Sequence, residues 1–79
     1  MTTIEREVLA LVAAMAPAAG QAGLEDTFVG LGYTSLRFLE LSIAVEHAFS
    51  LPPLTPESLA GVSTVADLAE LVRARQDAR

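Results

Sequence analysis

Apolar residues recur at helical spacing in three stretches of the chain, each bounded by residues that start or stop a helix. From Thr3 to about Ala16, the residues Ile4, Val8, Leu11, Val12 and Met15 fall on one face. Thr2 and Glu5 have capping-box spacing at its start, and Pro17, Gly20 and Gly23 end it. The second stretch, Ser35 to Phe49, holds no glycine or proline and is broken by Leu51-Pro52-Pro53-Leu54. Thr55-Pro56 then reads as an N-cap followed by proline at the first helical position, with Gly61 as a stop, which leaves one or two turns of helix. Ser63 and Thr64 start the last helix, and Thr64 with Asp67 repeats the capping-box spacing. Val65, Leu68, Ala69 and Val72 form its apolar face, and the charged tail from Arg73 is expected to fray. No alternating pattern marks a strand. The prediction is an all-α fold: a four-helix bundle of three longer helices and one short helix, in a single domain over residues 1–79.

A long connection, about Pro17 to Thr34, joins helices one and two. Irregular segments of this length are uncommon in compact domains and are usually functional. Leu24, Phe28 and Leu31 are spaced to reach the core from it, and Gly30 and Gly32 suit turn positions with positive φ.

The second helix carries one apolar stripe more than a bundle helix needs. At about 100° per residue, Phe38, Leu41, Val45, Ala48 and Phe49 define a core face. Leu36, Leu39 and Ile43 fall on the other side, flanked by Glu40, Glu46 and His47. Apolar residues ringed by polar ones suit a docking patch. The alternative is structural: Leu39 at the core boundary and Leu36 against the loop, leaving only Ile43 exposed.

Composition narrows the functions available. The chain has 79 residues and no cysteine, so neither a disulfide framework nor a thiolate metal site exists. A single histidine, His47, cannot build a zinc site. Net charge is −5 and every cation is arginine. Nucleic acid is therefore excluded as a partner, and a basic protein surface is favoured. Between Leu24 and Phe49 the acids Glu25, Asp26, Glu40 and Glu46 stand against Arg37 alone. The longest apolar run, Val8 to Ala16, is too short to span a bilayer, and Glu5 and Glu7 do not suit a secretory signal. The expectation is a soluble, cytoplasmic monomer with no membrane partner. The initial Met and the lack of flanking linkers point to a free-standing chain.

Ser35 stands where the connection becomes the second helix. A hydroxyl there lies among outward-pointing N–H groups at the positive end of the helix dipole, an environment that suits phosphate. Either Thr34 or Ser35 can serve as the N-cap. Catalysis by Ser35 is disfavoured: the one candidate base, His47, is roughly 18 Å down the same helix at 1.5 Å per residue. Gly30-Leu31-Gly32 lacks the lysine and the spacing of a phosphate-binding P-loop.

The stretch from Asp26 to Leu41 resembles the phosphopantetheine attachment region of acyl and peptidyl carrier proteins. That family's pattern is roughly Asp-x-Phe-x-x-Leu-Gly-x-Asp-Ser-Leu followed by a helix with a Glu-Leu pair. Asp26, Phe28, Leu31, Gly32, Ser35, Leu36, Glu40 and Leu41 match it. Ala44 to Phe49, Leu51 to Pro53 and Ser63 to Asp67 extend the similarity over nearly the whole chain. The resemblance implies a carrier with no catalysis of its own. Ser35 would take a covalent 4′-phosphopantetheine arm from coenzyme A through a separate Mg²⁺-dependent phosphopantetheinyl transferase. The arm's thiol would hold thioester cargo for an acyl- or aminoacyl-loading enzyme and for the synthases of a fatty-acid-like, polyketide or nonribosomal peptide pathway. Leu36, Glu40, Ile43 and Glu46 fall at positions the family uses for partner contact. His47 stands where many relatives carry an acid. Thr34 replaces the family's Asp, a residue the transferase sees, which bears on the choice of transferase and leaves Thr34 to cap the helix and free Ser35. Gly32-Tyr33 fits acyl-type carriers better than peptidyl ones. The competing reading is an unmodified helical adaptor that docks a basic partner through the second helix.

Overall fold

The computed structural model describes residues 1–16 and 21–78. Four helices follow in the predicted order: α1 (Thr3–Met15), α2 (Ser35–Phe49), α3 (Pro56–Ala60) and α4 (Val65–Asp77). Pro17 and Gly20, two of the expected stops of α1, lie outside the described residues. Each helix begins on a threonine. Thr2, Thr34, Thr55 and Thr64 have extended backbones, and each hydroxyl accepts from the N–H three residues on. At α1 and α4 the box is closed by Glu5 and Asp67 accepting from the cap's own N–H. Asp67 also accepts from Ser63, and the N–H groups of Ser63 and Thr64 hold its carboxyl below the usual carboxylate range.

The core lies where α1 packs against both α2 and α4. Val8 and Val12 of α1, Leu41 and Val45 of α2, and Val65, Leu68 and Val72 of α4 are fully excluded from solvent. The apolar faces predicted for α1 and α4 are the ones that pack. On α2 the face is Leu41, Val45 and Phe49, with Phe38 partly buried. Ala48 does not belong to it: the residue is exposed, at the mouth of a shallow groove with Glu7 and Leu11. Ser42 is buried instead, its hydroxyl satisfied by donating to the Phe38 carbonyl at 2.9 Å. The charged segment from Arg73, expected to fray, is helical as far as Asp77. Helix α4 runs to Asp77 because Val72 is anchored in the core and Arg73 bridges Glu70 and Asp77 one turn to either side.

Helix α2 ends in a Schellman turn. Ser50 takes a left-handed conformation at φ 53, its N–H donates to the His47 carbonyl, and Leu51 N–H reaches back to the Glu46 carbonyl at 2.9 Å. Leu51 and Leu54 then turn into the core. Helix α3 holds no fully buried residue; Leu59 packs on the core, and Arg75 of α4 donates to Ser58.

The connection from 21 to 34 is fastened to α4 and to α1. The first two N–H groups of α4, those of Val65 and Ala66, donate to the carbonyls of Asp26 (3.1 Å) and Leu24 (2.8 Å). Phe28 N–H donates to the Ser63 carbonyl at 3.0 Å, beside an isolated antiparallel bridge between Thr27 and Thr64. No strand forms among the described residues. Phe28 is buried, with Leu24 and Leu31 packed against the core as expected. Its ring meets Tyr33 edge-on at 5.3 Å and Phe38 at 5.0 Å. Gly32 has the predicted positive φ, 85°. Gly30 does not; it is required for space, because a Cβ there would stand 2.9 Å from the Thr27 hydroxyl oxygen.

Tyr33 ties this segment to α1. Its hydroxyl donates to the Val12 carbonyl at 2.7 Å in a buried setting. Val12 lies in the last turn of α1, where carbonyls run out of helical donors. Burial raises the Tyr33 pKa, partly offset by the nearby positive charge of Arg37. A folded value above the unfolded one means the native state keeps its proton longer, so stability falls as pH rises past the unfolded value. Tyr33→Phe is expected to cost about 1 kcal/mol at neutral pH. With no lysine or cysteine in the chain, Tyr33 is the only side chain titrating between about pH 9 and pH 11.5. Urea midpoints across that range should fall for the wild type and stay flat for Tyr33→Phe.

Candidate functional site

Thr34, not Ser35, caps α2. Its hydroxyl accepts from Arg37 N–H at 3.1 Å and its carbonyl from Phe38 N–H at 2.9 Å. Ser35 is thereby the first residue of the helix, exposed, with no side-chain hydrogen bond in the structure. The cap reading of Ser35 is overturned by this geometry: once Thr34 satisfies the third N–H, the serine hydroxyl has no backbone task.

The two N-termini that meet at this end of the bundle are treated differently. At α4 the first turn is closed by loop carbonyls and by Thr64. At α2 the N–H groups of Ser35 and Leu36 have no acceptor among the described residues. Two free donors and the helix dipole thus sit beside an exposed hydroxyl, which suits an anionic group attached there.

An open cleft of about 350 Å³ begins at Ser35. Phe28, Val29, Phe38 and Val62 supply apolar lining, and Thr27, Thr34 and Ser63 supply hydroxyls. Among the described residues Tyr33 is the one titratable residue lining it, and its hydroxyl is committed to Val12. Among the described residues no carboxylate, histidine or arginine borders the cleft, so none of them there can take a proton from Ser35. His47 lies in the last turn of α2 and takes no part. Among the described residues no cluster of His, Asp and Glu can hold a metal ion.

The second apolar stripe of α2 faces solvent. Leu36, Leu39 and Ile43 are 68%, 53% and 54% exposed, which removes the alternative in which Leu36 and Leu39 pack inward. Glu40 and His47 are exposed on the same side. Glu46, expected beside this stripe, also makes a structural hydrogen bond. It is half-buried, and its Oε2 accepts from Leu54 N–H at 2.8 Å, which fastens α2 to the segment that follows it. Glu40 lies 3.5 Å from the Arg37 guanidinium. One residue of this surface escaped the sequence reading: Val29, 87% exposed and lining the cleft that Ser35 opens. Its only signal was a large apolar residue in a turn beside Gly30.

The family model described as the phosphopantetheine attachment site matches residues 6–72. The chain belongs to that family of carrier domains, whose prosthetic group is covalently attached 4′-phosphopantetheine. Among solved structures, an acyl carrier protein from Thermotoga maritima aligns with a TM-score of 0.71 over 99% of this chain and 98% of its own. Identity with it is 23%, so the likeness is one of fold. No curated protein matches the sequence.

Separate roles for the two neighbouring hydroxyls lead to different costs. Thr34→Ala should destabilise the domain by about 1 kcal/mol through loss of the cap. Ser35→Ala should leave the thermal midpoint nearly unchanged. Equal losses in the two variants would show that the cap is shared.

Proposed function

We propose that Ser35 is the attachment residue and that the domain carries thioester-bound intermediates between the enzymes of a fatty-acid-like, polyketide or nonribosomal peptide pathway. The observation that carries this reading is the division of labour at the start of α2: Thr34 closes the helix, and Ser35 is left exposed, unbonded and next to two open N–H donors.

Each nearby group has a defined part in that reading. The Ser35 Oγ is the phosphoryl acceptor. Its proton is taken by the partner, because among the described residues no base borders the cleft. This assigns metal and base to a separate phosphopantetheinyl transferase. The N–H groups of Ser35 and Leu36 face the resulting negative charge, and the neutral Thr34 adds no like charge beside it. Phe28, Val29, Phe38 and Val62 offer an apolar wall along which the first part of the arm can lie. When bound, the group supplies the thiol that a cysteine-free chain lacks and holds cargo as a thioester. The exposed face of α2, with Leu36, Glu40 and Ile43, is the surface a loading enzyme or synthase would meet. Absence of a helix long and apolar enough to cross a membrane among the described residues is compatible with a cytoplasmic site of action.

Incubation with coenzyme A, Mg²⁺ and a transferase of broad specificity should add one phosphopantetheine to the intact mass of the wild type and none to Ser35→Ala. Thr34→Ala should still be loaded, since its threonine holds the helix and not the arm. Thr34→Asp, which restores the family's usual residue, should change the loading rate without changing the product mass. No gain with several transferases, or the same gain in Ser35→Ala, would overturn the assignment.

A further inference from the structure

We infer that Tyr33 is a positioning residue for the modification of Ser35: its buried hydroxyl, fixed on the Val12 carbonyl, ties the serine to the core of α1 and so sets where the reacting oxygen stands. The inference rests on the carrier reading above and gives that reaction a residue buried beneath the surface a transferase meets.

The need for such a tie lies in the first turn of α2. The first N–H groups there with acceptors are those of Arg37, on the Thr34 hydroxyl, and Phe38, on the Thr34 carbonyl. The N–H groups of Ser35 and Leu36 have none among the described residues. On its N–H side, Ser35 is therefore fixed by Thr34 and by whatever holds Thr34 in place.

Tyr33 does that holding. Only Thr34 separates it from Ser35, and consecutive Cα atoms are about 3.8 Å apart, so a displaced Tyr33 leaves little slack. Three contacts fix Tyr33. Its N–H donates to the Phe28 carbonyl at 2.9 Å, and its ring meets Phe28 edge-on at 5.3 Å. These two join it to its own loop. The third, from its hydroxyl to the Val12 carbonyl at 2.7 Å, leaves the loop. The backbone bonds to α4 are made by Leu24, Asp26 and Phe28. From Val29 to Tyr33, the phenol makes the only hydrogen bond to another element among the described residues. It ends on a residue fully excluded from solvent. Tyr33 also lines the cleft that begins at Ser35, so the tie and the reacting group border the same space.

Loading makes this placement matter. The Ser35 Oγ–P bond forms while a P–O bond of the coenzyme A pyrophosphate breaks. The serine proton passes to the transferase, and adenosine bisphosphate leaves. The attacking oxygen has to stand about 3–3.5 Å from the phosphorus, and an error of about 1 Å can cost up to about a hundredfold in rate. Replacing the phenol by phenyl keeps the ring and its packing and removes the tie alone.

The test reads kcat and KM for loading of the full chain by a broad-specificity phosphopantetheinyl transferase with saturating coenzyme A. The assay is run at about 15 °C, close to the temperature at which small domains are most stable. Tyr33→Phe should lower kcat about fivefold, with KM within about twofold because Tyr33 is buried. Thr2→Ala serves as the control. It removes the cap at the far end of α1, and both variants should lower the thermal midpoint by about 5 °C. Thr2→Ala should load with the wild-type kcat. An unchanged kcat in Tyr33→Phe, or a loss carried wholly by KM, would overturn the inference. So would an equal fall of kcat in Thr2→Ala, or a Tyr33→Phe chain unfolded at the assay temperature, since either makes the hydroxyl a matter of global stability. Absence of loading in the wild type would instead overturn the carrier reading, and the inference with it.

Discussion

The first turn of α4 has to find acceptors for its N–H groups, and it finds them in a segment far away in sequence. The carbonyls of Leu24 and Asp26 close that turn. Everything at the functional end follows from this attachment. With Asp26 fixed on α4, Phe28 enters the core and packs against Tyr33 and Phe38. Tyr33 then reaches the last turn of α1, and the chain arrives at Thr34 in the extended conformation that a cap requires. A segment that looks irregular in sequence is held by α1, α2 and α4 together, and the serine it delivers sits on a rigid support. That suits the attachment role proposed for Ser35.

Local chemistry made much of this fold legible. Capping needs only a hydroxyl followed at the right interval by an N–H, so Thr2, Thr55 and Thr64 mark helix starts in the sequence, and Thr34 or Ser35 marks a fourth. The inward faces of α1 and α4 follow from periodicity alone. What stayed hidden depends on partners distant in sequence. Backbone-to-backbone contacts such as Ala66 to Leu24 leave no trace in residue identity. Glu46 is a surface acid by pattern, yet it is claimed by the Leu54 N–H because the Schellman turn at Ser50 brings the chain back beside it. A left-handed serine where glycine is commoner gave no warning of that turn. Ala48 and Ser42 exchanged places relative to a simple hydropathy wheel, because a serine that can back-bond within its own helix is buried at little cost.

The candidate site divides in the same way. Its centre, Ser35, was legible through a motif with many matching positions. The second stripe of α2 was visible on the wheel, but only the fold could decide between exposure and burial. Of the acids on that helix, Glu46 is hydrogen-bonded to the Leu54 N–H, which a count of carboxylates does not reveal.

Tyr33 has one further consequence. It is the only tyrosine in a chain without tryptophan, and its phenol is the clasp between the connecting segment and α1. The molecule therefore carries its own optical reporter at the place where the serine-bearing segment is secured. Tyrosine absorbance, emission and near-ultraviolet dichroism all come from one ring in one environment. Any event that loosens or tightens the support behind Ser35 writes itself into that tyrosine signal, with no label attached and no tryptophan to subtract.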